Sequence, residues 1–426
     1  MRKIIIFLGL FLFPCLAHAA DRLTLKDCYQ MALKRSETIG IQKELIKETE
    51  GLMLQSLSTA LPKVAFAYSE KWQDVAGQRH GDQYAPEAKF TLTQPLFTGF
   101  KEFAAISASK HIGKQREAEL RRAKELLFVD VSDAFYLYLS YQEDEEAVGD
   151  IQKALHDRVK DLKKRESIGK SRLAEVASAE AKLRKAEANL EGVRSQKEVV
   201  AGLLSFLIGR SVNRLVVEDL PAWKPSIEKL LKNVDKRPDV IAAQEALASY
   251  KNNMTSARSS FLPNISLGAN AYTKRADTYE GNDWDATLTV NVPIFNGTTD
   301  IGTYRQAKAQ KNQAVLRLDR VRRMAMMEIK SAYIKWQANT RRVKALEKAV
   351  EAFEKNYDLQ LKDFRNNLVN SLDILTAIED LQGSRRDFIA GRADFYRSYW
   401  SLKVATGETD HPALGGTSLP FMDNKK

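Results

Sequence analysis

The sequence predicts a mainly α-helical fold with a small β part, built from two copies of one unit. Three observations carry this. Apolar side chains recur at alternating spacings of three and four over very long segments, as in a coiled-coil seam. Four short stretches instead alternate apolar and polar residues with the period of a β-strand. A set of short motifs also returns in the same order 198 to 201 residues later.

From the N-terminus, residues 1–19 read as a secretory signal peptide. Arg2 and Lys3 precede an apolar run from Ile4 to Pro14, and Ala17-His18-Ala19 gives a cleavage site. Phe13-Pro14 before Cys15 makes a poor lipidation signal. Losing Arg2 and Lys3 lowers the formal net charge from +11 to about +9, spread over mixed Lys/Arg/Glu helix faces. Residues 20–61 are expected to form an N-terminal helix, with Cys28 packed among Leu25, Tyr29 and Ala32. A β-hairpin follows over 62–97, a long helical hairpin over 98–208 and a linker over 209–236. The second copy comprises a helix over 237–262, a β-hairpin over 263–297 and a helical hairpin over 298–407, before a polar tail at 408–426.

The repeat is explicit in the motifs. Pro95-Leu96-Phe97-Thr98-Gly99 returns as Pro293-Ile294-Phe295-Asn296-Gly297. Leu207-Ile208-Gly209 returns as Ala405-Thr406-Gly407, and Ala60-Leu61-Pro62 as Phe261-Leu262-Pro263. The helical seam Leu127, Val131, Ala134, Tyr138 through Leu162 has its counterpart in Ala325, Ile329, Ala332, Trp336 through Gln360. The series Val176, Ala179, Leu183 through Leu204 supplies an antiparallel partner after a break near Gly169, and Asn366 to Asn370 is the matching break.

The strands fall at 64–72, 88–96, 265–272 and 286–294, each with one apolar face. Their length and alternation are those of membrane-spanning β-strands of about 9–11 residues. Flanking aromatics (Trp72, Tyr84, Phe97, Tyr272, Trp284, Phe295) suit an interfacial girdle. Four strands cannot close a barrel, and lipid does not tolerate open edges. Three protomers would supply about twelve strands, within the known range. Pro62, Pro95, Pro263 and Pro293 then mark strand–helix junctions, where a missing N–H costs little. After residue 20 no apolar run reaches the roughly 20 residues of a membrane helix.

Enzyme chemistry has little support. His80, His111, His156 and His411 show no metal-ligand spacing, and nucleotide-binding and nucleophile-elbow motifs are absent. No cofactor is expected, and nucleic acid is a poor partner for an exported chain. An exported coiled-coil rod with a soluble sheet is the competing reading. A shared barrel must be detergent-extracted and trimeric; a rod need not be.

The paired Leu-Pro motifs, the two Pro-x-Phe-x-Gly motifs, Arg237-Pro238-Asp239-Val240 and the turn Phe364 to Leu375 resemble the TolC family of outer membrane efflux proteins over roughly residues 22–407. The resemblance implies a homotrimer in the outer membrane of a Gram-negative bacterium. Its twelve-stranded β-barrel would continue into a periplasmic α-barrel of long coiled-coil helices. It implies an exit duct for tripartite efflux or type I secretion, docking to a periplasmic adaptor and an inner-membrane transporter. Gly169, Lys170 and Ser171 of the first hairpin, and Asn367, Leu368 and Val369 of the second, are the expected docking tips. Phe364, Val369, Asp373 and Thr376 fall at the expected aperture. A ring of three Asp373 carboxylates would favour cations; an Asp in a helical first turn also simply suits the helix dipole.

Overall fold

The computed structural model of the chain describes residues 22–74, 82–212, 214–218, 220–221, 223–275, 283–366 and 368–407. The signal-peptide reading, Cys15, the centres of both strand loops with His80, Asn367, and the tail with His411 lie outside these residues.

β1 (Arg22–Leu23) pairs in parallel with β4 (Arg214–Leu215), beyond the first long hairpin. Thr24 and Asp27 form a reciprocal capping box that opens α1 (Leu25–Arg35). The N-terminal helical segment is divided. Ser36 has an extended backbone that ends α1, and its hydroxyl accepts from the Ile39 N–H to start α2 (Glu37–Ser58).

β2 (Lys63–Asp74), β3 (Asp82–Phe97), β5 (Asn264–Lys274) and β6 (Trp284–Asn291) form one antiparallel sheet in the order β2-β3-β5-β6. Directly opposed residues share a face. One face runs Val64–Leu92–Ala269–Ala286 and Phe66–Phe90–Ala271–Trp284 across all four strands. The other runs Ala65–Thr91–Asn270–Asp285. There the Thr91 hydroxyl donates to Asn270 Oδ1 (3.1 Å), and Asn270 Nδ2 and the Tyr272 hydroxyl donate to Asp285 (2.9 and 2.6 Å). Tyr272 therefore belongs to the polar face, not to an outward girdle. Nothing in the described chain covers the apolar face: Phe66 is 59% and Leu288 62% exposed.

Three of the four expected junction prolines lie just outside a strand, and Pro95 does not. Pro62 and Pro263 each lie one residue before a strand. Pro95 lies inside β3, beside a register shift, where a residue without an N–H interrupts the ladder. β6 stops at Asn291, three residues before the expected 294; Pro293 cannot donate, and Ile294 stands 90% exposed. Gly99, at φ +66°, turns the chain from β3 toward helix. A Cβ there would lie 2.9 Å from Leu262 Cβ and the Ser259 carbonyl, so only glycine fits both the conformation and the space.

α3 (Lys101–Glu166) and α4 (Leu173–Ile208) form the first long hairpin, α7 (Thr299–Arg365) and α8 (Ser371–Ala405) the second. α5 (Ile227–Lys232) and α6 (Pro238–Arg258) precede the second β-hairpin. α3 has 66 residues, about 100 Å at 1.5 Å per residue. Near the sheet the packing order is α2–α3–α6–α7; at the far end it is α4–α3–α8–α7. The expected α4 series, Val176 through Leu204, is buried throughout, as are Val131, Ala134, Val148, Leu155 and Leu162 on α3. On α7 only Ala325, Ile329 and Ala332 of the matching series are buried; Trp336 through Gln360 are half-buried. In its far half α7 packs chiefly against α8, and α3 reaches it through side chains near the tip such as Arg158 and Arg165. No described helix is long and apolar enough to cross a membrane.

The largest core joins α1, α3, α4 and α8 around Tyr29, Phe128, Phe135 and Trp400. Cys28 sits fully buried within it, and burial pushes its thiol up to about 12. A duplicated joint flanks this core. Arg237 pairs with Asp239, its guanidinium donates to the Ala405 carbonyl (2.9 Å) and it lies against Gly407. In the first repeat Arg35 pairs with Glu37 and lies against Gly209. Both glycines have positive φ.

Candidate functional site

The ends of the two long hairpins farthest from the sheet hold most of the residues singled out from sequence. The first tip is closed by backbone geometry. Gly169 N–H donates to the Glu166 carbonyl (2.9 Å) and Lys170 N–H to that of Arg165 (2.8 Å). Gly169 has φ +70°, and a Cβ added to it would meet no atom within 4 Å, so its conformation alone demands glycine. The Ser171 hydroxyl donates to Glu175 (2.6 Å) and orders the first turn of α4.

The second tip is closed by backbone and side chains together. Leu368 N–H donates to the Asp363 carbonyl (2.9 Å). Asn370 Oδ1 accepts from the Leu372 and Asp373 N–H groups, and the Asp373 carboxylate accepts from the Asn370 N–H (2.9 Å). Asp373 is thus half of a capping box and remains partly exposed. Thr376 is exposed, its hydroxyl turned back to the Leu372 carbonyl (3.0 Å). Val369 is half-buried.

Between the tips stands a contact that sequence reasoning missed. Arg158 of α3 lies 4.0 Å from the centre of the Phe364 ring on α7, and Arg165 lies 4.7 Å from it. Arg158 Nη2 also donates to the buried Ser371 hydroxyl at the start of α8 (3.0 Å). Burial lowers the pKa of Arg158 from its ordinary value, and it remains a cation. One guanidinium therefore ties α3 to both arms of the second hairpin. Below it, Leu155, Leu162, Val176, Ile374 and Ile378 form a shared core. Phe364 is the platform on which this clamp rests.

Outside the clamp each tip carries uncovered apolar side chains among exposed polar ones such as Lys170, Arg172 and Asn370. Ile168 and Leu173 on the first, and Leu368 and Leu372 on the second, are all more than half exposed. Higher up, a groove of about 370 Å³ runs between α3 and the second hairpin, lined by Asp150, Tyr357, Ile378 and Arg385 among others. Ion pairs bind the hairpins along their length: Arg386–Asp144 (2.8 Å), Arg397–Asp133 (3.0 Å) and Arg392–Glu143. Among the described residues no group of His, Cys, Asp and Glu is arranged to hold a metal ion.

Comparison with known proteins places this geometry. A family model described as outer membrane efflux protein matches residues 28–210 and 230–408. The outer membrane efflux protein BepC of Brucella suis is 24% identical over 337 residues, 76% of this chain and 72% of the relative. The alkaline protease secretion protein AprF of Pseudomonas aeruginosa is 20% identical over 459 aligned positions, covering 100% of this chain and 93% of the relative. The crystal structure of the outer membrane protein VceC from Vibrio cholerae superposes with a TM-score of 0.79 at 20% identity, over 90% of this chain and 96% of that one.

Proposed function

The chain belongs to the outer membrane efflux protein family and resides in the outer membrane, and on that premise we propose that it is the exit duct of a tripartite efflux or type I secretion system, working as a homotrimer. The observation that carries this is the alignment of its open edges. The sheet is open at β2 and β6. On the β2 side, α2 and α4 expose Leu54, Val199 and Phe206; on the β6 side, α7 exposes Leu316, Met327 and Ile334. Strand edges and apolar helix faces lie on the same two sides. Three copies satisfy both sets at once, closing about twelve strands and twelve helix passes around one axis. The apolar sheet face then meets lipid and the polar face lines the pore.

In this reading the tips dock a periplasmic adaptor, which joins the duct to an inner-membrane transporter. The duct carries out no reaction; the transporter supplies energy and selects cargo. The Arg158–Phe364–Ser371 clamp holds the aperture narrow, and three Asp373 carboxylates set its preference for cations. The test begins with the native mass of the detergent-extracted particle, where three chains are expected. In planar bilayers Arg158→Ala is expected to raise conductance, because it removes a cation–π contact and a hydrogen bond worth about 1–3 kcal/mol together. Asp373→Asn is expected to lower cation selectivity. A water-soluble monomer or dimer would replace the duct with a coiled-coil rod.

A further inference from the structure

The helix turns just below the sheet sort their side chains by chemistry. A cleft of about 610 Å³ opens there, lined by Lys101, Ser256, Ser260, Gln306 and Gln310, with Asn264 and Asn291 from the polar sheet face. That face and this cleft define the inner side. Helical spacing of about 100° per residue places a second set on the opposite side of the same three helices. α3 turns out Phe103, 72% exposed, and Lys110. α6 turns out exposed Lys251 and Arg258; on α7 exposed Lys308 lies opposite the cleft, while half-buried Tyr304 and Lys311, seven residues apart, lie on the flank that meets Arg258.

These groups converge. The Arg258 guanidinium donates to the Tyr304 hydroxyl (3.2 Å) and lies 5.4 Å from its ring centre. Arg258, with Lys308 and Lys311 next, lowers the pKa of Tyr304, the mark of a concentrated positive field. The nearby Glu102 and Asp300 are already held, by Thr98 and by Asn296. The last two turns of α2, Gly51 to Ser58, carry no charge.

We propose that the outward band Arg258, Tyr304, Lys308 and Lys311 binds the phosphate of anionic phospholipid headgroups in the periplasmic leaflet. This rests on the barrel reading above. Three features commit it to lipid. The band lies directly beneath the apolar, lipid-facing side of the sheet. Lys308 sits about 14 Å along α7 from its first residue, within reach of the interface for a snorkelling side chain. Exposed Phe103 supplies an apolar anchor beside the cations. A headgroup phosphate meets a guanidinium, two ammonium groups and a phenol donor there, with no competing free carboxylate. A trimer presents three such sites in a ring.

The test measures the melting temperature of the detergent-solubilised trimer doped with phosphatidylglycerol or phosphatidylcholine. Phosphatidylglycerol is expected to raise it by several degrees and phosphatidylcholine to leave it unchanged. The triple variant Arg258→Gln, Lys308→Gln, Lys311→Gln should keep its trimeric mass and lose the shift. A control with the same charge loss lower on α7, Arg341→Gln, Lys344→Gln, Lys348→Gln, should keep it. Equal response to both lipids, or an unchanged shift in the triple variant, overturns the proposal. Inorganic phosphate reproducing the shift also overturns it, by making this a soluble-anion site. Loss of the trimer in the wild-type chain would instead be a failure of the barrel reading, seen in the mass before any lipid is added.

Discussion

Arg237 and Arg35 hold matching places in the two repeats, with opposite environments. Arg237 is fully buried and pairs with Asp239 (2.6 Å) and Glu328 (2.7 Å). Arg35 and Glu37 are more than half exposed. Removing Arg237 leaves carboxylates and a helix-end carbonyl without their donor, so Arg237→Ala is expected to cost about 3–5 kcal/mol. Arg35→Ala should cost less than about 1 kcal/mol. Denaturant midpoints of the two variants decide this. Nearby, Glu125 is 3% exposed, and its carboxyl is pushed up to about 7 from 4.5, chiefly by burial, with Arg122 opposing. Between those pH values the folded chain holds a proton that the unfolded chain has released. Stability therefore falls as pH rises through that window, by about 3 kcal/mol, and is flat above it. Glu125→Gln should remove the slope between pH 5 and 7. The motif around Arg237 was visible in the sequence. The clamp at Arg158 was not, because its partners lie about two hundred residues away and no local pattern marks which cation of a charged helix is buried.

At the scale of elements, the two-residue period revealed which strand residues share a face, and the register bears this out across all four strands. A lysine at Leu288 would enter the apolar face and is expected to cost about 2–4 kcal/mol in a bilayer, while the adjacent Thr289→Lys, on the polar face, should cost little. Folding into liposomes of graded urea content measures the difference. What the period could not give was where each strand ends. That depended on Pro293 withholding an N–H and on a register shift beside Pro95, which are pairing events between distant segments. The division of α1 from α2 had a local signal that went unused. Arg35-Ser36-Glu37 repeats the pattern of Arg237-Pro238-Asp239, a helix start in both copies. The helical seams were legible because a sustained heptad leaves few alternatives. The half-exposed stretch of α7 was not, since its missing neighbour belongs to no described segment of this chain.

For the whole molecule, the exposed faces predict the assembly. Phe206 on α4 and Ile334 on α7 are 70% and 64% exposed. In the trimer proposed above, a charge placed on either would be buried at a protomer boundary without a partner. Phe206→Asp and Ile334→Asp are each expected to abolish the trimer while leaving helical content unchanged, as read by particle mass and far-ultraviolet circular dichroism. Loss of helix together with the trimer would show that these faces support the protomer itself.

The stacking of sheet edges over helix edges also gives assembly a form of proofreading. A foreign strand could add to β2 or β6 through backbone hydrogen bonds, which carry little sequence information. It would then leave the apolar stripes of α2, α4 and α7 in water, roughly 100 Å of mismatch along a helix the length of α3. Only another copy of the same chain passes both checks, so fidelity is secured by length and not by any single contact.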